Sequence, residues 1–285
     1  MGETCDILIS GGGIAGLTAA AAFGARGFRV ICVDPAPPVT ARDAAGSDLR
    51  TTAFLQPAQA LLEDCGLWAR MQDDAAPLQV MRIVDAGGER PEPRVVKDFN
   101  AADISGRPFG WNLPNWLLRC EISAHLDALP NVDFRPGTST RSLFTRTGEA
   151  QVGLSDGSTI STRLVIAADG RGSPMREAAG IKVKTTRYGQ KALAFAVTHP
   201  VPHENVSTEI HRSGGPFTLV PLPDYQGKPS SAVVWMERGP EAQRLLNLTP
   251  EDFEAAMTGR SCGLFGHLTL ASRRTIWPII SQSAQ

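Results

Sequence analysis

The stretch D-I-L-I-S-G-G-G-I-A-G-L-T-A-A-A-A-F-G-A-R-G-F-R-V-I-C-V-D, Asp6 to Asp34, limits the folds open to this chain more than any other feature. Ile7 to Ser10 is a short apolar run of strand type, and Ile14 to Arg26 is rich in the helix formers Ala and Leu. At their junction Gly11, Gly13 and Gly16 spell G-x-G-x-x-G. Gly11 permits the tight turn, Gly13 lets a pyrophosphate approach the backbone, and Gly16 lets the helix pack closely on the strand. The helix start, Ile14 and Ala15, then offers unpaired N–H groups and a positive dipole end to phosphate. A second strand, Phe28 to Val33, ends in Asp34 and Pro35. Asp34 stands where an acid accepts hydrogen bonds from a ribose hydroxyl and disfavours a 2′-phosphate. The unit predicts an adenine dinucleotide, either NAD or FAD.

The rest of the composition narrows the partners. The 285 residues suffice for one large domain or two modest ones, and a formal charge of −1 provides no field for nucleic acid. The chain enters its first strand directly, which leaves no room for a signal peptide, and no apolar run reaches the ~20 residues of a membrane span. Five cysteines, odd in number and without C-x-x-C spacing, argue against a disulfide framework or a zinc site and fit a reducing cytoplasm. Cys5 and Cys32 fall in predicted core strands as small packing residues.

Further along, "LRTTAFLQPAQALLEDCGLWARM" reads as a helix broken near Pro57 and ending around Gly66. Residues 78–97 read as strand pieces around the turn "DAGGER". "NWLLRCEISAHLDAL" reads as an amphipathic helix capped by Asn115, with Leu118, Ile122 and Leu126 on one face. "VDFRPG" is a short strand, and residues 150–162 form a hairpin turning at Asp156-Gly157. "RLVIAADGRGSPMREAAG" repeats the opening theme, a buried strand followed by a glycine-containing turn. Residues 181–236 then alternate as strands of an antiparallel sheet, and "TPEDFEAAMTG" is a helix capped by Thr249 with Pro250 at its first position. A plain NAD dehydrogenase half repeats β-α-β at once. Here the next strand-and-turn site waits until Asp169, so the layout favours a flavoprotein.

"GGGIAGL" with Asp34, "DLRTTAFLQPAQALLEDCGLW" and "IAADGRGSPMRE" together resemble the FAD-dependent aromatic-ring hydroxylases of the p-hydroxybenzoate hydroxylase type. Within that group the chain is most similar to the hydroxylases of ubiquinone biosynthesis, a likeness extended by "HENVSTEIHRSGGPFTLVPLPD" and "SSAVVWM". The resemblance implies an α/β fold with α+β insertions: a Rossmann-like FAD-binding sheet (residues 1–77 and 99–180) and an antiparallel β-sheet substrate domain (78–98 and 181–275). Residues 276–285 would begin the return to the FAD domain. It implies that Gly11, Gly13, Ile14, Ala15, Gly16, Asp34 and Pro35 hold the ADP half of FAD. Arg50 and Arg119 would reach the flavin, and Asp169 and Gly170 would belong to a motif shared with NAD(P)H. Gly215, Pro216 and Phe217 would border the aromatic-substrate pocket; a strand packing alternate side chains into a core is the other reading of Phe217.

The implied chemistry is monooxygenation. NAD(P)H reduces the flavin, which activates O₂ and transfers oxygen to an electron-rich phenol ring, with a polyprenylated phenol as the expected substrate. No nucleophile or metal is required; of His199, His203 and His211, on or beside the predicted sheet, one could help ionise a phenol, and a structural role for each is the other reading. Peripheral association with a membrane or a ubiquinone-biosynthesis complex is also implied. The family continues into a G-D motif and carboxyl-terminal helices that these residues do not contain, so the resemblance further implies a chain shortened by a quarter to a third. A non-catalytic subunit of the same fold and a related FAD-dependent reductase or halogenase are the alternatives.

Overall fold

A computed structural model describes residues 2–88, 90–212 and 214–284. The opening unit is β1 (Glu3–Ser10), α1 (Ile14–Gly24) and β2 (Val30–Asp34). Then follow β3 (Thr51–Leu55), α2 (Gln56–Asp64), the single turn α3 (Trp68–Met71), β4 (Ala76–Leu78), β5 (Val80–Asp85) and β6 (Val95–Asn100). Next come β7 (Gly110–Pro114), α4 (Asn115–Leu126), β8 (Val132–Pro136), β9 (Thr140–Thr145), β10 (Ala150–Leu154), β11 (Thr159–Ala167) and α5 (Pro174–Ala178). The remainder is β12 (Val183–Thr198), β13 (Val206–Arg212), β14 (Gly215–Tyr225), β15 (Lys228–Arg238), α6 (Gly239–Leu246), α7 (Pro250–Arg260), β16 (Thr269–Leu270) and β17 (Thr275–Ala284).

One sheet runs in the order β8-β2-β1-β11-β10-β9. Its four central and first-edge strands, β8, β2, β1 and β11, are parallel, so their carboxyl ends share one rim. Both faces are covered, as a parallel sheet requires. Ile7, Ile9, Val30 and Cys32 pack toward α1 and α4, while Leu8, Ile31 and Val33 pack against Val152, Leu154 and Met175. Burial beside the Asp34 charge pushes the Cys32 thiol up to about 12, which makes it inert packing.

A second sheet has the order β16-β12-β15-β14-β13-β5-β6, with β17 along β12. It joins β5 and β6 from the 78–98 stretch to the strands beyond residue 181, through a parallel β13–β5 pairing. Thr275–Ala284 continues this sheet antiparallel to β12, from Ala194 back to Val183, and its Ile280 and Gln282 share a pocket with Arg171 and Gly172. A three-stranded piece, β3-β7-β4, lies between. Among the described residues no helix is long and apolar enough to cross a membrane.

Three local expectations need correction. Thr51–Leu55 is a strand, because β7 supplies its hydrogen bonds, and Pro57 sits in the first turn of α2, where its missing N–H costs nothing. Asn115 does not cap α4; Pro114 occupies that position, and the Asn115 amide bonds Asp48 and Thr52. Gly239–Leu246 is a helix that the sequence reading leaves out. The turn "DAGGER" includes Glu89, which lies outside the described residues. By contrast Thr249 caps α7 through Asp252 N–H, and Gly157 turns the β10–β11 hairpin at φ +86°.

The histidines set an acid limit on stability. His199 is buried; its Nδ1–H donates to Val201 O at 2.8 Å and its Nε2 accepts from Ser231 Oγ at 2.9 Å. Burial lowers its pKa below the ordinary 6.5, with the neighbouring His203 adding in the same direction, and burial lowers His125 likewise. The unfolded chain therefore takes up protons that the folded chain refuses. Stability is complete above the unfolded value of 6.5 and falls as pH drops below it. Denaturant midpoints taken between about pH 8 and pH 5 are expected to decline, and His199→Gln is expected to flatten the decline. An unchanged slope in the variant would remove His199 from the account.

Candidate nucleotide site and a second cavity

The glycines at the end of β1 do distinct jobs. Gly11 adopts φ +109° and donates its N–H to Val33 O at 2.8 Å; a side chain there would overlap the Ala168 carbonyl. Gly16 faces the Gly11 carbonyl so closely that a Cβ would occupy the oxygen's place. Gly13 has no atom within 4 Å of where a Cβ would stand. Gly12 N–H donates to Asp34 Oδ2 at 2.6 Å and Ala36 N–H donates to Oδ1 at 2.9 Å, so the Asp34 carboxylate is fixed in orientation by backbone alone.

These groups border a cleft of about 430 Å³, within the ~300–1,000 Å³ range of small-molecule sites. Six predicted residues line it: Gly11, Gly13, Asp34, Pro35, Asp169 and Gly170. Among the other lining residues, the hydroxyl-bearing Ser10, Ser139 and Thr140 were not singled out by sequence reasoning. Ser139 and Thr140 belong to a connection that starts beside β2, where Gly137 and Thr138 N–H donate to Asp34 O at 2.8 and 3.0 Å. No local motif marks this segment; only the sheet order brings it to the rim. Across the cleft, Asp169 Oδ2 accepts from Ser10 Oγ–H and from Met175 N–H, each at 3.2 Å. Its Oδ1 is buried with no hydrogen-bond partner among the described residues. Ser173 caps α5, accepting from Arg176 N–H at 3.0 Å.

The other predicted residues lie elsewhere. Gly16 is inside the β1–α1 contact, and the Ile14 and Ala15 side chains line an apolar groove shared with α2. Arg50 forms a bidentate pair with buried Asp48 (2.8 and 2.7 Å) and stacks 4.0 Å from the Trp277 ring centroid. Burial alone would raise the Asp48 carboxyl, but hydrogen bonds from Arg50 and Asn115 hold it below its ordinary value. Arg119 sits on α4 with a buried Nε that has no partner among the described residues.

Gly215, Pro216 and Phe217 do not border the cleft or the second cavity described next. Phe217 is fully buried between the large sheet and α7, with Trp235 at 5.3 Å. The packing reading of Phe217 is the one that the structure follows. The opposite face of β14 instead contributes Leu222 to a cavity of about 200 Å³, whose walls include Arg42, Leu49, Trp116, Tyr225 and Ser272. Arg42 stacks 3.9 Å from the Tyr225 centroid and donates to Ala271 O at 2.6 Å. Arg273 returns the tie by donating to Ser47 O at 2.5 Å, so the 36–50 loop is pinned over this cavity from both sides.

The profile of a family described as "FAD binding domain" matches residues 4–284. The chain belongs to this FAD-binding family. Among its curated relatives, the ubiquinone hydroxylase UbiL of Rhodospirillum rubrum is 34% identical over 258 residues, covering 90% of this chain and 58% of that protein. The 3-demethoxyubiquinol 3-hydroxylase of Escherichia coli is 26% identical over 267 residues, 94% of this chain and 66% of that protein. The chain thus spans less than two thirds of the length of either relative. Among solved structures, Pseudomonas aeruginosa PqsL in complex with 2-aminobenzoylacetate superposes with a TM-score of 0.78 at 22% identity, over 97% of this chain and 74% of PqsL. At that identity the likeness speaks for the fold. It is the α/β, FAD-binding architecture that the sequence resemblance implies.

Proposed function

We propose that the rim cleft holds FAD and that the chain carries the FAD-binding and substrate-facing parts of an aromatic-ring monooxygenase. One observation carries this reading. Gly13 with open space at its Cβ position, Asp34 with its fixed carboxylate and Asp169 with a buried, unpartnered oxygen all line one cleft. Gly13 leaves room for a pyrophosphate, and the N–H groups of Ile14, Ala15 and Gly16 at the start of α1 would meet its charge. Asp34, beside Pro35, has acceptor capacity left for a ribose hydroxyl, and Asp169, beside Gly170, lacks a donor that a bound hydroxyl would supply. Arg50 and Arg119 would approach from outside the cleft.

FAD, when bound, supplies hydride acceptance from NAD(P)H and activation of O₂. The residues of the chain bind, orient and exclude water; the apolar cavity at Leu49, Trp116 and Leu222 would seat the ring. The names of the relatives favour a phenolic precursor of a quinone, polyprenylated as in ubiquinone. Peripheral contact with a membrane or with a ubiquinone-biosynthesis complex belongs to the same proposal, and liposome co-sedimentation would read it. The reaction is tested by supplying the chain with FAD, NAD(P)H, O₂ and a prenylated phenol. Consumption of reductant coupled to a product heavier by one oxygen atom supports hydroxylation. Bound FAD without such a product would leave a binding protein in place of an enzyme.

A further inference from the structure

Beside the nucleotide cleft, three side chains from three strand ends form a directed chain of hydrogen bonds. Ser10 closes β1, Thr140 opens β9 and Asp169 follows β11. Thr140 Oγ1 and Ser10 Oγ are 2.8 Å apart, and both residues are at least nine-tenths buried, at 4% and 3% exposure. Ser10 Oγ–H donates to Asp169 Oδ2 at 3.2 Å, and with its one proton used there the Thr140 hydroxyl donates to Ser10 Oγ. Met175 N–H engages the same carboxylate oxygen. Two hydroxyls are thus removed from water at a place where Ala and Val would fill similar space, and burial of a hydroxyl is favourable only when its bonds are made.

We propose that Ser10 and Thr140 are positioning residues for Asp169: they commit Oδ2 to the protein, so that Oδ1, buried and without a partner among the described residues, is the oxygen left for a hydroxyl of the bound dinucleotide. This rests on the reading of the cleft as the FAD site. The relay joins two strand ends to the carboxylate through side chains only, so it can be removed without touching a backbone bond. Ser10→Ala and Thr140→Val are each expected to weaken FAD binding roughly 3- to 10-fold, the range of one lost hydrogen bond.

The test is a titration of the full chain with FAD, followed by flavin fluorescence, with thermal melts confirming that each variant is folded. Thr140→Ser keeps the hydroxyl and should bind FAD like the parent. In an Asp169→Ala background, Ser10→Ala should change the affinity less than about twofold, because the group it positions is gone. Equal losses in the two backgrounds would overturn the positioning role, as would a Thr140→Ser variant that binds as weakly as Thr140→Val. A parent chain without saturable FAD binding overturns the site reading itself and this inference with it.

Discussion

Replacing Gly13 by alanine is expected to leave stability within about 1 kcal/mol of the parent while lowering FAD affinity at least tenfold, about 1.4 kcal/mol or more. The backbone there is extended, at φ −72° and ψ 176°, a conformation open to alanine, and the added methyl would meet no protein atom within 4 Å. It would stand instead in the space through which a pyrophosphate reaches the N–H groups of α1. Gly16→Ala is expected to do the reverse damage. Its methyl would coincide with the Gly11 carbonyl, and backbone at a strand–helix junction yields less readily than a side chain. The cost is at or above the ~1–3 kcal/mol of an overpacked core, a large share of a total stability of roughly 5–15 kcal/mol. Denaturant midpoints and FAD titrations on both variants separate the two roles. If Gly13→Ala bound FAD like the parent, the pyrophosphate would not pass where the fingerprint puts it.

The second large effect concerns Phe217. Phe217→Ala should destabilise the protein by about 3–5 kcal/mol, the range for a fully buried aromatic ring, while folded molecules keep the parent's FAD affinity. The ring contacts an aromatic cluster in which Trp235 stands edge-on at 5.3 Å and itself packs on Phe253 at 5.8 Å. Arg260, buried beside it, donates to Ile210 O and Gly215 O and so ties α7 to the start of β14. Truncation would leave a cavity among groups that cannot collapse into it. Urea unfolding measures this directly. A variant with the parent's midpoint and an altered response to phenols would restore Phe217 to the substrate pocket.

The Phe217 case shows what a sequence leaves open. Period-two alternation along β14 groups Phe217 with Leu219 and, on the other face, Thr218 with Val220 and Leu222. Which face is core depends on where α6 and α7 dock, and no residue within the strand records that. The glycine turn at Gly11–Gly16 and the Asp169 turn were legible because their constraints are local: a positive φ, a close backbone approach, an acid at a strand end. Thr51–Leu55 was misread because its strand character comes from pairing with β7, whereas the helical pattern starting just after it is local. Ser139 and Thr140 carry no motif at all. They reach the cleft only because their connection crosses the rim beside Asp34. The glycine and acid turns that border the cleft were thus readable from short-range geometry, and Ser139, Thr140 and the walls of the second cavity were not.

Equilibrium titration of the purified chain with FAD, alongside its Gly13→Ala variant, decides whether this cleft binds the dinucleotide. Saturation near one FAD per chain, an oxidised-flavin absorption that persists through desalting and competition by ADP are expected of the parent, with an affinity at least tenfold weaker in the variant. A folded parent that stays colourless with added FAD, or a variant that binds it equally well, would contradict the account.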